Sequence, residues 1–313
     1  MVLAMQADEF GGPEALHAVT VEPGEPGPGR VRIRVRAAGV NPADAKLLRG
    51  LFGRGRTPVR PGSEVAGVVT AVGEDAAGPL GTVAVGDEVV AFRVSGGYSE
   101  ELVVPAAAVL PKPPGLAWEQ AAGLLLTGTT AVHLLEATHV SAGDTVLIHG
   151  ASGAVGSLLV QLVRERGARA VGTSSERGAA IVERFGGESV RYGEGLVERV
   201  RALAPEGVDV ALDTAGTDEA LDASVALVAD RSRIATVAGF ERGAALGVLL
   251  LGGGEGADPG TALRDAARAP LLERAGRGEL EVVLGRSFPL ASAVEALALV
   301  ESGRAGGKVV LLP

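Results

Sequence analysis

Val31, Ile33 and Val35 interleave with Arg32, Arg34 and Arg36. This period of two predicts a strand with one buried face. A turn-rich connector over 22–29, Glu-Pro-Gly-Glu-Pro-Gly-Pro-Gly, comes before it. Short apolar runs at 65–72, 87–92 and 99–104, divided by Gly and Pro, predict further strands of a compact antiparallel barrel. Residues 111–115 read as a rigid link, and the pattern changes after them. Trp118–Ala137 is rich in Ala and Leu and predicts a helix. Apolar strands at 145–149, 168–173, 208–212 and 234–237 then alternate with helical stretches at 154–166, 176–185 and 218–228. Near-continuous apolar strands alternating with helices predict an α/β domain built on a doubly wound parallel sheet. The glycine-rich segment 252–260 reads as a mobile loop, and the segment ending in Lys308–Leu312 returns to the first pattern.

The chain has 313 residues, which points to two domains. Of these, 47% are hydrophobic and 21% charged, enough to build large cores. Aromatic residues make up only 3%, so base-stacking surfaces are scarce. A net charge of -9 argues against a nucleic-acid-binding face, which needs basic side chains to displace phosphate counterions. No apolar stretch approaches the length of a membrane span; 246–251 is among the longest. There is no cysteine, so disulfides and thiolate metal sites are excluded. With no signal-peptide pattern in the first ten residues, the expectation is a cytoplasmic protein.

Gly150-Ala-Ser-Gly153-Ala-Val-Gly156 has three glycines three apart. With 47 glycines in the chain, that spacing alone arises about once by chance. Its context carries the reading: a strand ends at His149, the glycines form the turn, and an amphipathic helix starts at once. Pyrophosphate binding needs this arrangement, with close backbone and helix N-terminal amides facing the phosphates. The next strand ends in Gly172-Thr-Ser-Ser-Glu-Arg177. Where an NAD enzyme usually places an acidic residue on the ribose hydroxyls, Ser174, Ser175 and Arg177 offer two hydroxyls and a guanidinium for a 2′-phosphate. NADPH is therefore the expected cofactor. Glu176, if turned inward, would serve NAD instead.

Several motifs in order carry a resemblance: 37–44 (Ala-Ala-Gly-Val-Asn-Pro-Ala-Asp), 61–69, 85–89, 96–100, Thr129-Thr-Ala131 and Gly306-Gly-Lys-Val-Val310. Over its whole length the chain resembles the zinc-independent medium-chain dehydrogenases/reductases of the quinone oxidoreductase (zeta-crystallin-like) branch. The resemblance implies a Rossmann domain inserted into a GroES-like β-barrel catalytic domain. The expected division is 1–117 catalytic, 118–270 cofactor-binding and 271–313 returning to the catalytic domain, with the nicotinamide in the cleft and a homodimer as the assembly. Zinc-bearing relatives carry Cys where this chain has Asn41 and His where it has Ser63, so no metal is expected.

The resemblance also implies site residues. Thr130 would contact the nicotinamide side, and Ser152, Gly153, Ala154 and Val155 would lie along the pyrophosphate between Gly150 and Gly156. Ser174, Ser175, Arg177 and Tyr192 would hold the 2′-phosphate, and Gly239 would approach the nicotinamide ribose. Lys308 reads equally as a cofactor contact or a solvated tail lysine. Relatives often have a tyrosine five residues past the motif asparagine; here that position is Lys46. Asn41, Lys46 and Tyr98 are the candidate catalytic residues. The expected chemistry is hydride transfer from NADPH to a quinone or other conjugated carbonyl, whose conjugation spreads the incoming charge without a metal. Two alternatives stand beside it: an enone or enoyl reductase acting on a biosynthetic intermediate, and a non-catalytic NADPH-binding sensor.

Overall fold

A computed structural model describes residues 1–52 and 57–313. The chain divides into two units, one of Met1–Leu126 with Ala269–Pro313 and one of Thr127–Arg268. Both boundaries fall inside helices, Trp118–Ala137 and Thr261–Gly276.

In the first unit a seven-stranded sheet runs in the order Leu284–Pro289, Lys308–Leu312, Arg30–Val40, Glu64–Val72, Glu88–Phe92, Val109–Pro111, with Glu101–Pro105 pairing back on Arg30–Val40. Val31, Ile33 and Val35 are buried, as the alternation predicts, and join one core with Val65, Val89 and Leu311. Register shifts in the pairing of Arg30–Val40 with Glu64–Val72 are the bulges that let so long a strand bend. Lys308–Leu312 lies antiparallel to that strand, with Val309 opposite Val40. Residues near 308 and near 41 are thus brought together from opposite ends of the chain. The helix Pro42–Leu48 follows at once; Asn41 N donates to the Asp44 carboxylate at 2.9 Å across its N-terminus, and Pro42 occupies its first turn. A hairpin of Val2–Gln6 with His17–Val21 also belongs to this unit, and the sequence pattern did not announce it.

The second unit is a six-stranded parallel sheet in the order Glu188–Arg191, Arg169–Ser174, Thr145–His149, Val210–Asp213, Ile234–Thr236, Leu249–Leu250. In chain order this is 3-2-1-4-5-6, the doubly wound order whose switch point lies beside the first strand. The helix Ala154–Glu165 buries Leu158, Leu159, Leu162 and Val163. The glycine-rich 252–260 segment is more tied than expected: Leu251 bridges Asp258, and Gly252 N donates to Asp258 O at 2.7 Å. Among the described residues no helix is long and apolar enough to cross a membrane.

Candidate active site

The glycine turn is built by close backbone approach. Gly150 has φ +73°, a left-handed conformation that suits glycine. A Cβ on Gly156 would stand 2.2 Å from Gly150 O, whereas one on Gly153 would stand 3.2 Å from the same atom. Gly150 N donates to Thr173 Oγ1 at 3.2 Å and Ala151 N to Thr173 O at 3.0 Å, fastening the turn to the neighbouring strand. Ser152, Gly153, Ala154 and Val155 remain partly exposed along its rim. The first-turn amides of the helix Ala154–Glu165 have no partner within the helix, so the turn presents donors where a pyrophosphate would lie. The cradle fits a dinucleotide.

At the end of the next strand the two serines differ. Ser174 is buried; its hydroxyl lies 2.8 Å from Ser189 Oγ and donates to Ser175 O at 2.9 Å. Ser175 is half-exposed and caps the helix Glu176–Arg184, accepting from Gly178 N at 3.2 Å. Arg177 is exposed, with no hydrogen bond or ion pair among the described residues. Glu176 is exposed in the first turn of the helix, where its charge suits the helix dipole. Tyr192 is 54% exposed just past the strand Glu188–Arg191, whose Arg191 pairs in register with Ser174.

Elsewhere in this unit the structure brings in residues that the sequence left unmarked. Asp213 is fully buried and accepts from Ala215 N (2.9 Å), Gly216 N (3.0 Å) and Thr236 Oγ1 (2.6 Å). Thr236 Oγ1 in turn accepts from Gly239 N at 2.9 Å. One carboxylate thereby fixes two strand-end turns, including the one that carries Gly239, where a Cβ would meet Leu221 Cδ1 at 2.7 Å. An Asp closing the buried run Val-Ala-Leu-Asp213 was the available signal. Arg264 donates to Thr130 Oγ1, and to Thr129 Oγ1 at 3.4 Å. His133 lies 3.4 Å from Asp258, and burial holds its imidazole below the usual range. No local pattern in the sequence marks either pairing.

The candidate catalytic residues lie in the first unit, Asn41 and Tyr98 in a buried polar cluster and Lys46 outside the buried set. Lys308 is 1% exposed, so it is no solvated tail lysine. Its Nζ donates to Asn41 Oδ1 at 2.5 Å and to Glu64 Oε1 at 2.6 Å. Asn41 Nδ2 donates to Glu64 Oε1 at 3.1 Å, and Leu126 N donates to Glu64 Oε2 at 2.9 Å. Glycines make room for the pair: a Cβ on Gly39 would stand 2.5 Å from Glu64 Oε1, and one on Gly123 2.7 Å from Lys308 Cγ. Asp44 accepts from Asn41 N (2.9 Å), Gly62 N (3.1 Å) and the Tyr98 hydroxyl (3.0 Å). Burial pushes its carboxyl up from 3.8 to about 6, against those hydrogen bonds and the Lys308 charge. Tyr98 is 1% exposed; burial and then the Asp44 charge push its hydroxyl well above the usual range. Tyr98 therefore serves as a donor to Asp44 and is not open to solvent. Lys46 is half-buried on Pro42–Leu48, and desolvation lowers its pKa. Ser63 Oγ, where zinc-bearing relatives have His, finds no hydrogen-bond partner among the described residues.

Comparison with known proteins decides the family. An alcohol dehydrogenase GroES-like domain profile matches residues 27–114, and a zinc-binding dehydrogenase profile matches residues 187–311. The quinone oxidoreductase of Pseudomonas aeruginosa is 33% identical with both chains covered in full. The chain belongs to the zinc-independent medium-chain dehydrogenases/reductases, in the quinone oxidoreductase-like branch. A 2-haloacrylate reductase from a Burkholderia species is 36% identical over 70% of this chain and 68% of its own. A mycobacterial protein solved in complex with NADPH superposes with a TM-score of 0.86 at 32% identity, both chains fully covered. One profile's name mentions zinc, but the donors of this reductase do not suit that metal. The chain lacks cysteine, and Asn41 is engaged by the Lys308 ammonium at 2.5 Å, a cation already in place. Among the described residues no group of three or more His, Asp or Glu could hold a metal ion.

Proposed function

We propose that this protein is an NADPH-dependent reductase whose acceptor is a quinone or another conjugated carbonyl. The observation that carries the reading is the glycine cradle at 150–156 followed, one strand on, by Ser175 and the exposed Arg177. Gly150, Ser152, Gly153, Ala154, Val155 and Gly156 would hold the pyrophosphate. Ser175, Arg177 and Tyr192 would hold the 2′-phosphate, with Ser174 supporting them through Ser189. Thr130, steadied by Arg264, and Gly239, fixed through Thr236, would receive the nicotinamide end. When bound, NADPH supplies the hydride.

The chain's own part is to orient the acceptor, exclude water and deliver a proton. Lys46 Nζ is the donor we favour: desolvation lowers its pKa, which makes it a better acid. Tyr98, buried and donating to Asp44, holds that carboxyl in place. Asn41 acts through the Lys308–Glu64 pair as a fixed wall of the acceptor site. A conjugated acceptor suits this arrangement because its own conjugation spreads the incoming charge, and no metal-ligand set stands among the described residues to polarise an isolated ketone. The similarity to a 2-haloacrylate reductase favours the second reading, reduction of an activated carbon–carbon double bond. We expect a homodimer, which light scattering on the purified chain would test.

The test is NADPH oxidation followed by nicotinamide absorbance, with a quinone and an aliphatic enone offered in parallel, NADH as control, and a repeat after dialysis against chelator. Turnover of the quinone, faster with NADPH and unchanged by chelator, is expected. Turnover of the enone alone would select the second reading. NADPH binding without turnover of either would point to a sensor.

A further inference from the structure

Between the strand Glu188–Arg191 and the helix Leu196–Leu203 the chain makes a tight turn through Tyr192, Gly193, Glu194 and Gly195. Gly193 and Gly195 have φ of +99° and +77°. Arg199, on the following helix, grips this turn. Its Nε donates to Arg191 O at 3.1 Å and its Nη1 to Glu194 O at 2.7 Å. Its Nη2 donates to Arg191 O and to Gly193 O, each at 2.8 Å. From the other side, Glu219 Oε2 accepts from Gly193 N at 3.1 Å. The turn lines a cleft of about 340 Å³ with Arg191, Tyr192, Gly193, Glu194 and Arg199.

An exposed connecting turn needs no such clamp, since water satisfies its carbonyls. The effect of Arg199 is electrostatic. Three carbonyl oxygens, of Arg191, Gly193 and Glu194, accept from one guanidinium, whose charge offsets their negative ends. What the turn leaves outward is the Tyr192 side chain, the exposed Glu194 and the exposed Arg191, which has no ion pair among the described residues. Arg191 pairs in register with Ser174, so the turn stands beside the Ser174–Arg177 segment.

We infer that Arg199 is a positioning residue for the choice of NADPH over NADH. By gathering the 191, 193 and 194 carbonyls it clears negative dipoles from the 2′-phosphate seat and presents Arg191 as a second guanidinium opposite Arg177. This rests on the cofactor reading above.

The experiment titrates NADPH and NADH separately into wild type, Arg199→Ala, Arg199→Lys and Arg191→Ala, following nicotinamide fluorescence, with the thermal midpoint of each protein recorded. Arg199→Ala is expected to weaken NADPH roughly tenfold while leaving NADH within about twofold. Arg199→Lys should fall between, because a point charge cannot bridge three carbonyls as a planar fork does. Arg191→Ala, an exposed change that leaves the turn intact, should weaken NADPH alone. A lowered midpoint with an unchanged NADPH-to-NADH ratio in Arg199→Ala would overturn the inference, as would equal loss of both cofactors. If Arg199→Ala does not fold, an unchanged ratio in Arg191→Ala overturns it. A wild-type chain that binds both cofactors equally removes the cofactor reading, and the inference with it.

Discussion

Single residues decide whether the cradle can exist. Gly156 and Gly153 lie in one motif, yet a Cβ would be 2.2 Å from a backbone carbonyl at the first and 3.2 Å at the second. Gly156→Ala is therefore expected to destabilise the protein by about 1–3 kcal/mol and to weaken NADPH more than tenfold. Gly153→Ala should change both far less, and cofactor titration beside urea unfolding would separate them. Asp44 gives a pH signature of a definite sign. Its folded pKa, about 6, lies above the usual 3.8, so the folded state holds the proton more tightly than the unfolded chain. Asp44's favourable contribution is complete below about pH 4 and is lost as pH rises through about 6, up to roughly 3 kcal/mol. Asp44→Asn should lower stability in general, since one acceptor is lost, but remove that decline. Unfolding curves between pH 4 and 7 that keep the same slope in the variant would refute the assignment. At this scale the glycine motif and Ser175 were legible in the sequence because their partners lie within a few positions. Arg199 was not, because helical arginines are ordinarily solvated and only the turn's geometry shows what it holds.

At the scale of elements, the C-terminal strand Lys308–Leu312 both completes a sheet and delivers an ammonium to a carboxylate. Removing one partner of a buried pair leaves the other charged and unpaired, so Lys308→Met and Glu64→Gln are each expected to lose about 3–5 kcal/mol. The double variant should recover part of that loss, since neither charge is then stranded. Denaturant unfolding of the four proteins would measure the coupling, and simple additivity would show that the two side chains act independently. The parallel strands were readable from composition, because strands buried on both faces are apolar throughout. The hairpin Val2–Gln6 with His17–Val21 was not, because most of the second strand is exposed and its pattern is weak. The burial of Lys308 was also hidden: nothing near it in sequence indicates Glu64, 244 positions away.

For the whole molecule, the chain carries a net charge of -9 and is expected to take a polyanionic cofactor. Attraction must therefore be local, from strand-end amides and the arginines beside them, over a background that repels. Free NADPH at about a hundred times its dissociation constant is expected to raise unfolding free energy by about 2.7 kcal/mol. NADH at the same concentration should raise it less. Denaturant titrations with each cofactor would show the difference, and equal shifts would contradict the 2′-phosphate reading.

The long reach from Glu64 to Lys308 also has a consequence for synthesis. Residues 127–268 form a continuous stretch and can fold as soon as they leave the ribosome. The first unit cannot close until residue 312 has been added, because the strand it lacks is made after everything else in its sheet. At ordinary elongation rates of about 5–20 residues per second, Glu64 waits on the order of ten to fifty seconds for its ammonium. During that interval the nascent chain holds an open sheet edge at residues 38–40 and a carboxylate without its ammonium beside it. Chaperones that bind exposed strand edges would meet this protein through the half that is translated first and finished last.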